Sequence, residues 1–351
     1  MSDETIFERD GALGRVLLNR PQVLNALSPA QFREIGRRLA VWEEDASVGL
    51  VVVEGRGDAA FSAGGDLRAV WEARARGDHA ANRALFRDEY SLDRRIHRYP
   101  KPYVALMDGI VMGGGAGISV NGPFRVATER TVFAMPETAI GFFPDVGATH
   151  FLSRCPGRVG LYLGVTGTRL GGADCLWAGL ATHYVPSADR GDLVAALGRA
   201  AASADPWGAA AQVLAEFHRD PGPSALAGRA DSIDHCFGQP TLREIVSALV
   251  ADGDDWAWDA LEPIGDNSPT SLIVTFRQLT EGAHLDFEDA IRREFRMANR
   301  FLAGGDLFEG IRARIIDKDR QPKWGAATIA DVAEADIAAC FAPLAEELEF
   351  A

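Results

Sequence analysis

Two apolar runs, each delivering the chain into a glycine bend, constrain this sequence more than any other feature. Leu50-Val51-Val52-Val53 precedes Ala63-Gly64-Gly65-Asp66, and Tyr103-Val104-Ala105-Leu106-Met107 precedes Gly113-Gly114-Gly115-Ala116-Gly117. Short apolar runs rich in β-branched residues suit strands buried on both faces. Consecutive glycines let a backbone turn tightly and present bare N–H groups to a neighbour. The pattern reads as an α/β core in which backbone donors follow buried strands.

The flanking segments agree. Asp10-Gly11 is a hairpin signal between Thr5–Glu8 and Gly14–Asn19. Ser28 and Pro29 are a helix cap and a first helical residue, and Phe32, Ile35, Leu39 and Trp42 then recur at helical spacing. A polar segment from Ala80 to Arg98 is helix-compatible, Phe124–Ala127 and Val132–Met135 are two further short strands, and Thr182–Val185 is a last one. After the break at Ser203-Ala204-Asp205-Pro206 helical patterns dominate, including Ser268-Pro269 with its following run and Phe287 to Leu302. The expected organisation is a core over residues 1–205 and a mainly helical region over 206–351.

What the glycines bind is narrowed by what they lack. Ile118 stands where the last glycine of GxGxxG would fall, and no GK[ST] follows, so dinucleotide and P-loop readings are poor. An oxyanion hole needs two backbone N–H donors from separate segments, and the two bends supply a pair. A close-packed strand-to-helix turn accounts for Gly113–Gly117 alone equally well. Two acids stand out in an otherwise apolar and glycine-rich segment, Glu137 and Asp145 in Pro136–Gly147, whereas Glu89 in Phe86-Arg87-Asp88-Glu89-Tyr90 sits in a charged helical stretch. Carboxyls beside oxyanion donors can do proton chemistry. A solvated loop acid or a helix N-terminal acid is the plain alternative for Glu137, a helix N-cap for Asp145, and a surface acid for Glu89.

Net charge is -14 with a sequence pI near 5.0, which argues against nucleic acid or an anionic membrane surface as partner. No apolar run approaches the ~20 residues of a membrane helix. Four well-separated cysteines read as reduced, packed thiols, and seven histidines show no metal-binding spacing. Nothing pairs His150 or His183 with a nucleophile, so neither reads as a catalytic base. The acidic start Met1–Thr5 resembles neither a secretory nor a transit peptide, and the expectation is a cytoplasmic protein.

Leu18-Asn19-Arg20-Pro21 with Asn25-Ala26-Leu27, Phe61–Leu67, and Gly109–Gly117 resemble the enoyl-CoA hydratase/isomerase (crotonase) superfamily. Finer features resemble its 3-hydroxyisobutyryl-CoA hydrolase branch: Phe86–Tyr90, Met135–Gly147, Ser268-Pro269-Thr270-Ser271-Leu272, and Phe308–Ala313 with Ile316–Asp319 and Pro322-Lys323-Trp324. The resemblance spans nearly the whole chain. It implies a ββα spiral core followed by helices, an acyl-CoA thioester substrate, no cofactor beyond that substrate, and hydrolysis within valine breakdown. A homo-oligomer is compatible with it.

Residue by residue, the resemblance implies that the Gly65 and Gly114 N–H groups form the oxyanion hole. It places Glu89, Glu137 and Asp145 around substrate and reacting water, with Ala63 beside the substrate. Arg20 and Arg68 flank the motifs as candidates for the CoA phosphates. Hydratases of the superfamily carry a catalytic glutamate three residues after the middle glycine. Here that position is Gly117, which favours thioester cleavage over hydration. Glu137 is then expected to act as nucleophile or general base, and Asp145 to orient the acyl hydroxyl or the water.

Overall fold

The computed structural model describes residues 3–350, so Met1 and Ser2 of the acidic start lie outside them. Two compact units emerge, each assembled from interleaved segments: Met1–Gly65, Ser91–Phe133 and Leu170–Ala227 form the first, and Asp66–Tyr90, Ala134–Arg169 and Gly228–Ala351 the second. The Ser203–Pro206 break falls inside the first unit, between the helices Arg190–Ala201 and Pro206–Phe217.

The strands are β1 (Thr5–Asp10), β2 (Leu13–Leu18), β3 (Leu50–Gly55), β4 (Ala60–Ser62), β5 (Tyr103–Met107), β6 (Ile110–Met112), β7 (Phe124–Ala127), β8 (Val132–Ala134) and β9 (His183–Tyr184). Six of them form a sheet in the order β1-β2-β3-β5-β7-β9, and β4-β6-β8 form a smaller one. β1 and β2 are antiparallel, joined by a tight turn with Gly11 at φ 58°, whereas β2-β3-β5-β7-β9 run parallel. All six residues of β3, its apolar run Leu50–Val53 followed by Glu54 and Gly55, and all five of the apolar β5 are buried. On one face Leu193, Leu197 and Leu214 of the two helices after β9 pack on Leu50, Val52, Val104 and Leu106.

Helix Pro29–Glu44 starts where its sequence dictates. Ser28 Oγ accepts from Gln31 N, Gln31 Oε1 accepts from Ser28 N, and Pro29 fills the first position. Its buried stripe is Phe32, Ile35, Leu39 and Trp42, the apolar set read from spacing.

The second unit is largely helical, as the tail pattern predicts. It includes the start of helix His79–His97 through Tyr90, together with Val159–Thr166, Pro269–Gly282, Phe287–Ala303 and Asp306–Ile311. The tail motifs buttress the segment around Glu137. A methyl on Gly310 would sit 2.2 Å from the Ile140 carbonyl oxygen, and one on Gly141 would sit 2.3 Å from that of Asp306. Ser268 Oγ donates to Asp306 (2.6 Å), and Asn267 Nδ2 donates to Thr138 Oγ1 (2.9 Å).

A Gly310→Ala variant therefore must push backbone apart. The expected cost is about 1–3 kcal/mol, read as a lower thermal midpoint. An unchanged midpoint would contradict the packing of the tail on this segment.

Among the described residues, all four cysteines are buried and outside any disulfide, and no helix is long and apolar enough to cross a membrane.

Candidate active site

In the first unit the two glycine bends meet. Gly64 has φ 101°, and a Cβ there would lie 3.0 Å from the Met112 carbonyl oxygen and 3.3 Å from Gly114 N. Only glycine tolerates both that conformation and that approach. β6 ends at Met112, Gly113 turns at φ 49°, and Gly114 opens the helix Gly114–Val120. The N–H of a first helical residue has no intrahelical acceptor. Beside it, Ala63 N–H donates to the Leu24 carbonyl (2.9 Å) and Gly64 N–H to Ser62 Oγ (3.2 Å), while Gly65 N–H donates to no protein group among the described residues. Two backbone donors from separate segments, each without a protein acceptor among the described residues, are thus left available to an incoming acceptor.

The Asn25 motif explains how this pair is held. Asn25 is buried, with Nδ2 donating to the Ala60 carbonyl (2.8 Å) and the Arg56 carbonyl (3.1 Å), and Oδ1 accepting from Arg20 N (3.0 Å). Ser62 Oγ donates to the Asn25 carbonyl, and Leu27 N to that of Gly64, at 2.9 and 2.8 Å. Leu24 and Asn25 both take positive φ, so a tight loop clips onto β4 and fixes the Gly64-Gly65 bend.

The second unit gathers the acids. Glu89, Glu137 and Asp145 are all buried, at 4%, 6% and 5% exposure, which removes the surface-acid reading of Glu89 and the solvated-loop reading of Glu137. Glu137 opens a short 3₁₀ helix, Glu137–Ile140, and its Oε2 is buried without a hydrogen-bond partner among the described residues. Asp145 caps no helix. The next helix, Ala148–Phe151, has Gly147 at its N-cap, and Asp145 Oδ2 instead accepts from Tyr90 Oη at 2.7 Å. Phe86, Phe142, Phe143 and Phe301 form an apolar cluster here, with ring centroids 4.4–5.5 Å apart.

Burial and mutual repulsion set the proton chemistry. Glu89 is pushed well above the usual carboxylate range by desolvation, then by the charges of Asp145 and Glu137. Glu137 is raised by desolvation, then by Asp145. Asp145 rises to about 7, again by burial, against the Tyr90 hydrogen bond that holds it down. These groups share protons as a set, which is how a site keeps one carboxyl protonated beside an ionised one.

The same shifts affect folding. Asp145 moves from 3.8 to about 7, and buried Glu294 from 4.5 to about 8. The native state thus retains protons that the unfolded chain releases, and stability falls as pH rises from about 4 through about 8. Asp145→Asn is expected to make that decline shallower between pH 4 and 7, measured as urea midpoints. An identical slope in variant and wild type would contradict it.

Two residues not singled out from sequence belong to this arrangement. Tyr90 adjoins Glu89 in the quoted motif, and a buried phenol needing a partner was its signal. Glu294, with no exposed surface, sits among Ile291, Phe295 and Ala298 on the buried face of helix Phe287–Ala303. Its Oε2 and Oε1 accept from Gly147 N (2.7 Å) and Thr149 N (2.8 Å). An acid at a core position of an amphipathic helix is a readable anomaly.

Arg20 is held by Glu4 (3.3 Å) and the Ala26 carbonyl (2.8 Å), and Arg68 reaches the Ile315 carbonyl at 3.5 Å. His183 Nδ1 pairs with Thr182 Oγ1 and its pKa is lowered by burial.

Residues 13–341 match the family model described as enoyl-CoA hydratase/isomerase. The chain is 42% identical over 351 residues to the mitochondrial 3-hydroxyisobutyryl-CoA hydrolase of Danio rerio, covering 98% of this chain and 90% of that one. It is 44% identical over 344 residues to that of Xenopus laevis, covering 97% and 89%. A crystal structure described as a carnitinyl-CoA dehydratase from Mycobacterium thermoresistibile superposes with a TM-score of 0.93 at 40% identity, over 99% of both chains. The cytoplasmic expectation is corrected by these relatives, which are named mitochondrial. The charge of five N-terminal residues reports on those residues and not on a compartment. With the family model matching nearly the whole chain, this protein is a member of the enoyl-CoA hydratase/isomerase family.

Proposed function

We propose that this chain hydrolyses 3-hydroxyisobutyryl-CoA, or a closely similar short 3-hydroxyacyl-CoA, to the free acid and CoA, within valine breakdown. The observation that carries this reading is where the acids stand. Helix Gly114–Val120 contributes none, with Gly117 at the position of the hydratase glutamate, whereas Glu137 keeps a buried, unpartnered oxygen in an acid-rich, aromatic-walled segment. Such an oxygen is costly to fold and is retained where chemistry uses it.

In this reading the Gly65 and Gly114 N–H groups receive the thioester carbonyl oxygen as it becomes an oxyanion. Glu137 either attacks the carbonyl carbon, giving an acyl anhydride and releasing CoA thiolate, or takes the proton of the water that attacks. In the first route water then cleaves the anhydride and returns the Glu137 carboxylate. Asp145, held by Tyr90, orients the 3-hydroxyl or the water. No cofactor takes part.

The dehydratase description of the Mycobacterium structure favours a second reading, loss of water from, or addition of water to, an acyl-CoA. A thiol-release screen over acyl-CoA esters tests the first. Short 3-hydroxyacyl esters should release free CoA fastest, and a panel with no thiol release would refute hydrolysis.

A further inference from the structure

The turn that carries Asp145 is under strain and is clamped from two helices. Val146, a buried β-branched residue, takes φ 54°, and Gly147 takes φ 91°. A β-branched side chain in that region costs about 1–3 kcal/mol and persists only where surrounding structure enforces it. The enforcement is visible. Glu294 receives Gly147 N–H and Thr149 N–H on its two oxygens. From helix Pro269–Gly282, Gln278 Nε2 donates to the Pro144 carbonyl (2.6 Å) and to Thr149 Oγ1 (2.8 Å). Glu294 and Gln278 are both fully buried. The residues on either side of the Asp145–Val146 pair are therefore fixed by side chains more than 120 positions away in sequence.

We propose that Glu294, assisted by Gln278, is a positioning residue: it holds the 144–149 turn so that the Asp145 carboxyl stays aligned on Tyr90 and toward the reacting group. The inference rests on the thioesterase reading above and on Asp145 having a role in it. Either protonation state of Glu294 leaves two oxygens for the two N–H groups. An amide does not, because its NH₂ faces one N–H donor with another.

Glu294→Gln is therefore the test, with thioester hydrolysis measured as activity per folded molecule and folding checked by near-UV circular dichroism. The expected result is a fall of about 10–100-fold in kcat, the range seen when an orienting partner of a functional group is removed, with KM changed less. In an Asp145→Asn background the same substitution should cost less than threefold further, since the two act through one carboxyl. A fully active Glu294→Gln variant, or an undiminished penalty in the Asp145→Asn background, would overturn the proposal.

Should Glu294→Gln not fold, Gln278→Met removes the other clamp while keeping shape. It should lower kcat with the same non-additivity, and full activity there would overturn the proposal equally. Wild-type enzyme assayed alongside separates the two failures. Wild-type hydrolysis with unaffected variants refutes the positioning role alone, and no wild-type hydrolysis refutes the reading it rests on.

Discussion

Glu137→Gln is expected to lower kcat by about 10³-fold or more while leaving affinity for a non-hydrolysable CoA thioether within a few-fold of wild type. The substitution keeps the shape of the side chain and removes its ability to attack or to accept a proton, a loss worth about 10²–10⁴ for base catalysis alone. Binding should survive because most of a CoA ester lies away from one carboxyl oxygen. Stability should hold or rise, since the wild-type carboxyl is buried and resists ionisation. Steady-state kinetics with isothermal titration of the thioether checks all three. Wild-type turnover in the variant would remove Glu137 from the chemistry, and lost binding with unchanged kcat would make it a substrate contact only.

Gly114→Pro is expected to lower kcat by about 10²–10³-fold, the usual effect of deleting one oxyanion donor. Proline is the suitable probe because a backbone N–H cannot be removed by changing a side chain. Gly114 is the first residue of its helix, where proline is tolerated and no intrahelical bond is lost. The close approach of Gly64 to Gly114 N leaves little room for the proline ring, so the thermal midpoint must be measured with the rate. A large fall in kcat in a folded variant supports the oxyanion role. Full activity would assign the glycine bend to packing alone.

The parts of this molecule governed by local rules were readable from residues. β3 and β5 announced themselves as unbroken apolar runs, helix Pro29–Glu44 by its cap and its stripe, and both glycine bends by composition. Glu137 and Asp145 stand out by their apolar surroundings and Glu89 by the resemblance, but the burial of all three depends on segments distant in sequence. Asp145 followed by a helix looked like a cap until Tyr90, 55 positions earlier, claimed its side chain. Glu294 is masked because the helical periodicity around it is carried by its apolar neighbours Ile291, Phe295 and Ala298 and not by the acid among them. The interleaving of the two units was equally hidden, since it depends on which segments associate rather than on how each is patterned.

The claim that this family member cleaves a thioester is tested most directly by giving it 3-hydroxyisobutyryl-CoA and following free thiol and enoyl-thioester absorbance together. Hydrolysis releases one CoA thiol per substrate consumed and creates no conjugated double bond. Loss of water leaves the thioester intact, releases no thiol and creates that absorbance. Stoichiometric thiol with no enoyl signal is the predicted result; enoyl absorbance without thiol would contradict it.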